Sequence, residues 1–221
     1  MFKLELHAHT SPVSRCAHAD AETLIDRYIE AGYSGIILTN HINNKTFAHM
    51  QNASWKEKAE YYWAAIEEAE KIANGRIDIL PGCEVYSNIT GNEYLLYGLT
   101  YEKLLEGEGW LHMGLAEICE SAKKLNMFIV RAHPFRNGAR MEPADPLCAI
   151  EVYNGLRKHD SHNYLAEVWV KNVNKPVTSG SDFHDPDSVI SGGILTFSRI
   201  RDNIELLRTL RNGNYALITK G

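Results

Sequence analysis

Short apolar runs alternate with amphipathic stretches along the whole chain, and run after run stops at a histidine or an acid. Lys3–Leu6 reads as a short strand that leads into His7-Ala8-His9-Thr10. Ala21–Ala31 has the spacing of an amphipathic helix, with Asp20 placed to cap its start and Gly32 just past its end. Gly35–Thr39 is unbroken apolar sequence, as expected for a strand covered on both faces, and it ends at Asn40-His41. Ser54, with Glu57 in the capping-box position, opens a long helix that runs to about Ala73 and stops at Asn74-Gly75. Ile77–Leu80 and Cys83–Val85 form the next strand, bent at Pro81-Gly82, and Tyr94–Leu99 forms another. Gly114–Leu125 predicts a helix, and Met127–Arg131 a strand ending at Ala132-His133-Pro134. Ala149–Tyr153 is a strand followed by Asn154-Gly155, and Ser161–Asn172 a helix. Pro176–Thr178 starts a short strand that ends in Gly180-Ser181-Asp182-Phe183-His184, and Ile194–Phe197 is a late strand. Asp202, with Glu205 three residues on, caps a last helix that Gly213 closes.

Strand–helix alternation of this kind favours an α/β fold with a largely parallel sheet. Seven or so strands in 221 residues can close into a TIM-barrel-like barrel, where chemistry sits at the C-terminal strand ends. No repeat, low-complexity segment or linker interrupts the pattern, so residues 1–221 are expected to form a single domain.

Composition narrows the function. Hydrophobic residues make up 44% and charged residues 23%, ordinary for a globular protein, so the core needs no staples. A net charge of −5 argues against an extended grip on nucleic acid, which needs many cationic contacts to phosphates, but leaves room for a small basic pocket. No apolar run has membrane-spanning length and the start of the chain does not read as a signal peptide, so a cytoplasmic protein is expected. The four cysteines, Cys16, Cys83, Cys119 and Cys148, are widely spaced, which suits reduced thiols. Cys16 and Cys83 lie beside candidate ligands, which leaves thiolate ligation open, and packing is the expected role for both.

The candidate chemistry lies at the strand ends. His7 and His9, two apart on an extended strand, point to one side of it and can reach one metal ion together. His41, Glu84, His133, Asp182 and His184 fall at further strand ends, and His18 lies in the loop after the first strand. Imidazoles and carboxylates are the donors that divalent metals take, and a carboxylate such as Glu84 can bridge two ions. His49, His112, His159 and His162 fall in helices or loops and read as surface or packing residues.

With these residues in place, the sequence resembles the PHP (polymerase and histidinol phosphatase) domain family. His7-Ala8-His9-Thr10 is similar to its HxHT motif, Thr39-Asn40-His41 to its TDH, and Pro81-Gly82-Cys83-Glu84 to the segment with the bridging glutamate. Ala132-His133-Pro134 and Gly180-Ser181-Asp182-Phe183-His184 are similar to its AHP and GSDxH motifs, and all five occur in the family's order. The resemblance implies a distorted seven-stranded (β/α)7 barrel, two or three divalent metal ions (manganese, iron or zinc) and phosphoester hydrolysis. One metal would take His7, His9, Glu84 and Asp182; a second would share Glu84 and add His133; a third would take His41, His184 and a loop ligand. Cys16-Ala17-His18-Ala19 looks like the CxH segment of the histidinol-phosphatase branch, which makes His18 the expected loop ligand, with Asp20 as competitor. Asn40 stands where the family usually has an acid that supports His41, and the family's extra histidine is absent near Glu93, which either replaces it as an oxygen ligand or is a solvated charge.

The resulting expectation is a metal-dependent phosphoesterase that hydrolyses a small phosphomonoester through a metal-bridging hydroxide, with Asp182, Glu84 and His133 as catalytic residues. Arg136, Arg15 and Arg140 are candidate phosphate-binding cations, since guanidinium grips phosphate through paired N–H groups. Histidinol-phosphate phosphatase, nucleotide or short-oligonucleotide phosphoesterase, amidohydrolase-like C–N hydrolase and non-catalytic metal or phospholigand-binding barrel stay open as alternatives. The oligomeric state leaves no trace in the sequence.

Overall fold

A computed structural model describes residues 1–219. The strands are β1 (Phe2–Ala8), β2 (Gly35–Leu38), β3 (His41–Ile42), β4 (Asp78–Tyr86), β5 (Glu93–Tyr97), β6 (Phe128–Arg131), β7 (Ala149–Asn154), β8 (Val177–Gly180), β9 (Ile194–Thr196) and β10 (Ala216–Leu217). The α-helices are α1 (Ala21–Glu30), α2 (Trp55–Ala73), α3 (Tyr101–Leu105), α4 (Leu115–Lys124), α5 (Asn163–Val173) and α6 (Asn203–Asn212). The helix starts follow the capping chemistry: Asp20, Ser54 and Asp202 each accept the backbone N–H three residues on, and Ser54–Glu57 forms the full reciprocal box.

The sheet runs β10-β9-β1-β2-β4-β5-β6-β7-β8, and β1, β2 and β4 through β8 are the seven staves of a nearly closed, distorted barrel. The expected α/β barrel is therefore present. The pairs β1–β2, β2–β4, β6–β7 and β7–β8 are parallel, while β5 runs antiparallel to both neighbours. This reversal follows from the short turn between β4 and β5, which has no crossover helix to return the chain. Because β5 is reversed, its first residue, Glu93, stands on the rim where the other strands finish.

Two apolar shells hold the barrel. The inner one includes Leu4, Leu6, Ile37, Leu80, Leu95, Phe128 and Val130, closed below by Leu206, Leu207 and Leu210 of α6. The outer one packs Ile36, Leu38, Ile79, Val85, Leu96 and Ile129 against Leu24, Ile25, Ile66 and Ile118 of the helices. Leu6 belongs to the inner shell and Ala8 to the outer, yet His7 and His9 also reach the barrel mouth. A register shift between Glu5 and Ala8, where β1 passes β2, makes this arrangement possible by inserting one extra residue. The Glu5 carboxylate, fully buried, stabilises the bulge by accepting the backbone N–H groups of Leu6 and His7, each at 2.9 Å.

Glu5 also closes the ring. β8 and β1 share no ladder; the chain just past β8 meets β1 through the isolated bridge Ala8–Phe183, with His9 N–H donating to Phe183 O at 2.9 Å. Below that bridge, Glu5 Oε1 accepts the Ser181 N–H at 2.9 Å, and Oε2 accepts the Tyr28 hydroxyl at 2.7 Å. Gly180 permits the close approach, since a Cβ there would collide with His7 Cβ and Glu151 Oε1.

Candidate metal centre

Four donor atoms from three staves converge at the mouth. His7 Nε2 lies 3.3 Å from Glu84 Oε2 and 3.3 Å from Asp182 Oδ1. His9 Nε2 lies 3.3 Å from Glu84 Oε2 and 3.2 Å from Asp182 Oδ1. Although these distances suit hydrogen bonds, His7 Nε2, His9 Nε2 and Asp182 Oδ1 are buried without a hydrogen-bond partner. They are aimed at a common centre rather than at each other. A tetrahedral ion with nitrogen and oxygen ligands at about 2.0–2.1 Å has ligand–ligand edges of about 3.3–3.4 Å. The side chains present therefore fit a divalent metal.

Glu84 faces a second group with its other oxygen. His133 Nε2 is 3.0 Å from Glu84 Oε1 and 3.4 Å from Glu93 Oε2, which brings Glu93 beside the ligand set. His41 Nδ1, also buried and unpartnered, is 3.0 Å from Glu84 Oε2 and 3.9 Å from Glu93 Oε1. His41 and His184 each have a nitrogen within 4.8 Å of one another and of His9.

Two candidate ligands carry left-handed backbone. His133 has φ 23° and Asp182 φ 52°, conformations that cost on the order of 1–3 kcal/mol each. Each is held by a hydrogen bond from elsewhere: His133 N–H donates to Glu151 Oε2 at 2.9 Å, and Arg136 Nη2 donates to Asp182 Oδ2 at 2.5 Å.

The electrostatics are those of a dense buried cluster of opposite charges. Burial alone would raise the Glu84 carboxyl, yet the imidazoles of His7 and His41 hold it well below the carboxylate range. Asp182 is held down against burial in the same way by His7, Arg136 and His184. Burial would lower His7 and His41, but Asp182, Glu151 and Glu84 push His7 well up, and Glu84 does the same for His41. His9 alone goes down, through burial and the positive charge of His41 and His184, and so stays neutral.

A buried layer behind the donors orients them. His7 Nδ1 meets Glu151 Oε1 at 2.8 Å, and Asn154 Nδ2 donates to both Glu151 Oε2 at 3.0 Å and Asp182 Oδ2 at 3.1 Å. The sequence reading missed Glu151; its only signal was an acid inside an otherwise apolar strand. Asn40 was expected behind the His41 ring, but it stands behind His9. Its Oδ1 accepts the Ser14 hydroxyl at 2.8 Å and the Thr10 N–H at 2.7 Å, and Ser14 Oγ lies 3.3 Å from His9 Nδ1. Toward His41 the link is through Ser14, whose Oγ accepts the His41 backbone N–H at 3.0 Å. A carboxamide suffices there because both partners donate.

The remaining sequence candidates lie further out. A cavity of about 420 Å³ opens onto the cluster, lined in part by Cys16, Arg136, Lys158, His159 and Asp185. Arg136 is already engaged, with Nη2 on Asp182, on Asn154 Oδ1 at 2.9 Å and on Ser161 Oγ at 3.3 Å. Arg15 points away, toward His49 Nδ1 at 3.0 Å on the surface. Arg140 is exposed and fixed by its backbone N–H to Asn92 Oδ1 at 2.8 Å; neither arginine lines the cavity. His18 is 68% exposed and its Nδ1 pairs with Asp185 Oδ1 at 2.5 Å. His159, read from the sequence as surface or packing, is exposed and borders the cavity beside Lys158. Cys83 is a buried packing residue whose thiol burial pushes far up. Burial would also raise Cys16, but hydrogen bonds from His184 and His41 and their charge bring it down to about 6.

No family model and no curated protein matches this sequence. Solved structures do match. A two-domain protein from Bacteroides vulgatus that contains a predicted PHP-like metal-dependent phosphoesterase superposes with a TM-score of 0.68 at 18% identity, over 99% of this chain and 65% of that one. The fold is that of the PHP-like phosphoesterases. The present chain spans about two thirds of that PHP-like protein's length, 65%. A candidate metal-dependent phosphoesterase from Bifidobacterium adolescentis is similar over 95% of this chain and 96% of that one, with a TM-score of 0.56 and 11% identity. An amidohydrolase from Chromobacterium violaceum, solved with sulfate and no metal, is similar over 94% and 96%, with a TM-score of 0.58 and 15% identity. Among the described residues, no helix is long and apolar enough to cross a membrane.

Proposed function

We propose that this PHP-like domain is a metal-dependent phosphoesterase acting on small phosphomonoesters. The observation that carries the reading is Glu84, whose two oxygens face separate donor groups: Oε2 turns to His7, His9 and His41, and Oε1 to His133. One carboxylate shared in this way suits a multinuclear centre. His7, His9, Glu84 and Asp182 would hold one ion, and Glu84 and His133, with Glu93 in place of a histidine, a second. Divalent ions bound there supply an acidified water and positive charge for the phosphoryl oxygens.

The chain's own residues supply position. Arg136 and Asn154 fix Asp182 Oδ2, so that Oδ1 alone turns toward the donors. Arg136 is held through Nη2 alone and lines the cavity, so its remaining N–H groups and Lys158, exposed at the cavity wall, are the cations available to the ester's phosphate. A cavity of about 420 Å³ accepts a small ester and not a folded polynucleotide.

The test is metal content by elemental analysis, followed by a phosphomonoester panel with manganese, iron or zinc. Turnover that is lost with metal in Asp182→Ala is expected. A metal-loaded protein that cleaves no phosphomonoester overturns the proposal, and turnover of an amide panel instead moves the chemistry to C–N bonds.

A further inference from the structure

Two guanidinium groups with unused N–H donors line one small cavity beside the metal centre. The cavity, about 240 Å³, is bounded by the β4–β5 turn and the loop after β6, and it reaches His133 and Glu93. Arg131, 2% exposed, stands opposite Tyr94 in the β5–β6 ladder, with its guanidinium 5.4 Å from the centre of that ring. Its Nη1 donates to the Glu93 carbonyl at 2.9 Å, whereas Nη2 is buried without a partner among the described residues. Arg136 uses Nη2 on Asp182, Asn154 and Ser161, and its Nε is likewise buried without a partner.

No neighbour is placed to fill these vacancies. Glu142 Oε2 stands 3.9 Å from Arg131 Nε, beyond hydrogen-bond range, and already accepts from Asn92 Nδ2 and from the Tyr94 hydroxyl. The Glu93 oxygens face His133 at 3.4 Å and His41 at 3.9 Å. Asn92 Oδ1 accepts the Arg140 N–H at 2.8 Å. Buried cationic donors are costly to leave unmade, so two at one cavity call for an acceptor from outside the chain.

We propose that this cavity is an oxyanion subsite, and that the substrate carries a second acidic group, carboxylate or phosphate, which Arg131 Nη2 and Arg136 Nε bind there. The proposal rests on the phosphoesterase reading above and narrows its substrate class. Guanidinium N–H groups suit both kinds of oxyanion. A volume of about 240 Å³ takes an acidic group and not a whole substrate. The reacting ester stays in the larger cavity, which shares Glu93, Arg136 and Asn137 with the smaller one.

Kinetics on carboxyalkyl phosphates and alkyl bisphosphates of increasing chain length, against plain alkyl phosphates, test the subsite. In wild type, a second acidic group at the right span is expected to raise kcat/KM by about tenfold or more, chiefly through KM. The better of the two series names the group. Arg131→Gln should bring the ratio close to one, and Arg131→Lys, which keeps the charge without the fork, should restore part of it. Calorimetric titration of the metal-free protein with inorganic sulfate reads the subsite without turnover: wild type should bind sulfate, and Arg131→Lys should bind it several-fold more weakly. Equal kcat/KM for all the esters, or an undiminished preference in Arg131→Lys, overturns the subsite and leaves the phosphoesterase reading standing. Sulfate binding that depends on Arg131, with no turnover of any ester, supports the subsite and overturns that reading. Absence of both overturns the two together.

Discussion

Glu151→Gln tests the buried layer behind the donors with a nearly isosteric change. Glu151 now accepts at both oxygens: His7 Nδ1 meets Oε1 at 2.8 Å, while Oε2 takes His133 N–H at 2.9 Å and Asn154 Nδ2 at 3.0 Å. A carboxamide has one acceptor oxygen. If that oxygen serves His7, its NH2 faces two donors. Asn154 cannot flip to relieve the clash, because its Oδ1 already receives Arg136 Nη2 at 2.9 Å and Leu156 N–H at 3.2 Å. If the oxygen serves His133, the NH2 faces His7 Nδ1, which must then surrender its proton and the ligating nitrogen its orientation. One buried unsatisfied donor costs about 1–3 kcal/mol. Loss of such a partner behind a metal ligand weakens binding by about 10–100-fold, which converts to roughly 1.4–2.8 kcal/mol. Competition with a chromophoric chelator measures the affinity, and urea denaturation of the metal-free protein measures the stability. Metal affinity within twofold of wild type, with unchanged stability, would refute the reasoning.

Other outcomes follow from the same contacts. Glu5→Leu strands the N–H groups of Leu6, His7 and Ser181 in the interior. At about 1–3 kcal/mol each, the total of about 3–9 kcal/mol rivals the stability of a whole domain. Glu5→Gln keeps one oxygen for those groups and is expected to fold; equal denaturation midpoints for the two variants would contradict this role. Burial raises the Glu5 carboxyl above its ordinary 4.5, so the folded state holds that proton more tightly than the unfolded chain. Its contribution to stability is therefore full below pH 4.5 and lost as pH rises through the folded value, a loss that Glu5→Gln should remove from the pH–stability curve. His7 and His41 titrate well above 6.5 without metal, so binding must expel their protons. Affinity should rise with pH through that region, and calorimetry in buffers of different ionisation enthalpy should show proton release; heats independent of buffer would exclude it. Asp182→Ala removes a donor and also frees Arg136, so it should lose metal while Arg136→Ala retains some; the reverse order would reassign Asp182.

The barrel was readable because its local signals agree with one another. Asp20, Ser54 and Asp202 cap helices where the apolar period begins, and the strands end at their histidines and acids. The direction of β5 was not readable, since Tyr94–Tyr97 has the same alternation in either sense and only the short turn before it decides. Glu5 and Glu151 were hidden for a related reason. An acid within a strand reads as a solvent-facing position, and only the closure of the ring shows that backbone N–H groups and an imidazole await it. Asn40 was correctly singled out but set behind the wrong histidine, because its partner Ser14 lies in a loop whose path no periodicity predicts. His18 and Cys16 show the same limit: two residues apart in one loop, they part company, Cys16 to the cavity and His18 to Asp185, only once the backbone is pinned to the His184 carbonyl.

The missing ladder between β1 and β8 changes what a bound ion would do for the molecule. His7 and His9 come from the first stave, Asp182 from just beyond the last, and the donors between them span nearly the whole length of the chain. An ion on these side chains would clasp the barrel where its backbone is least joined, as a crosslink closing one very long loop. Cofactor and architecture would then be one device. Stripping the metal would loosen the hoop at its open joint, and amide exchange along β1 and β8 would quicken before that of β6 or β7.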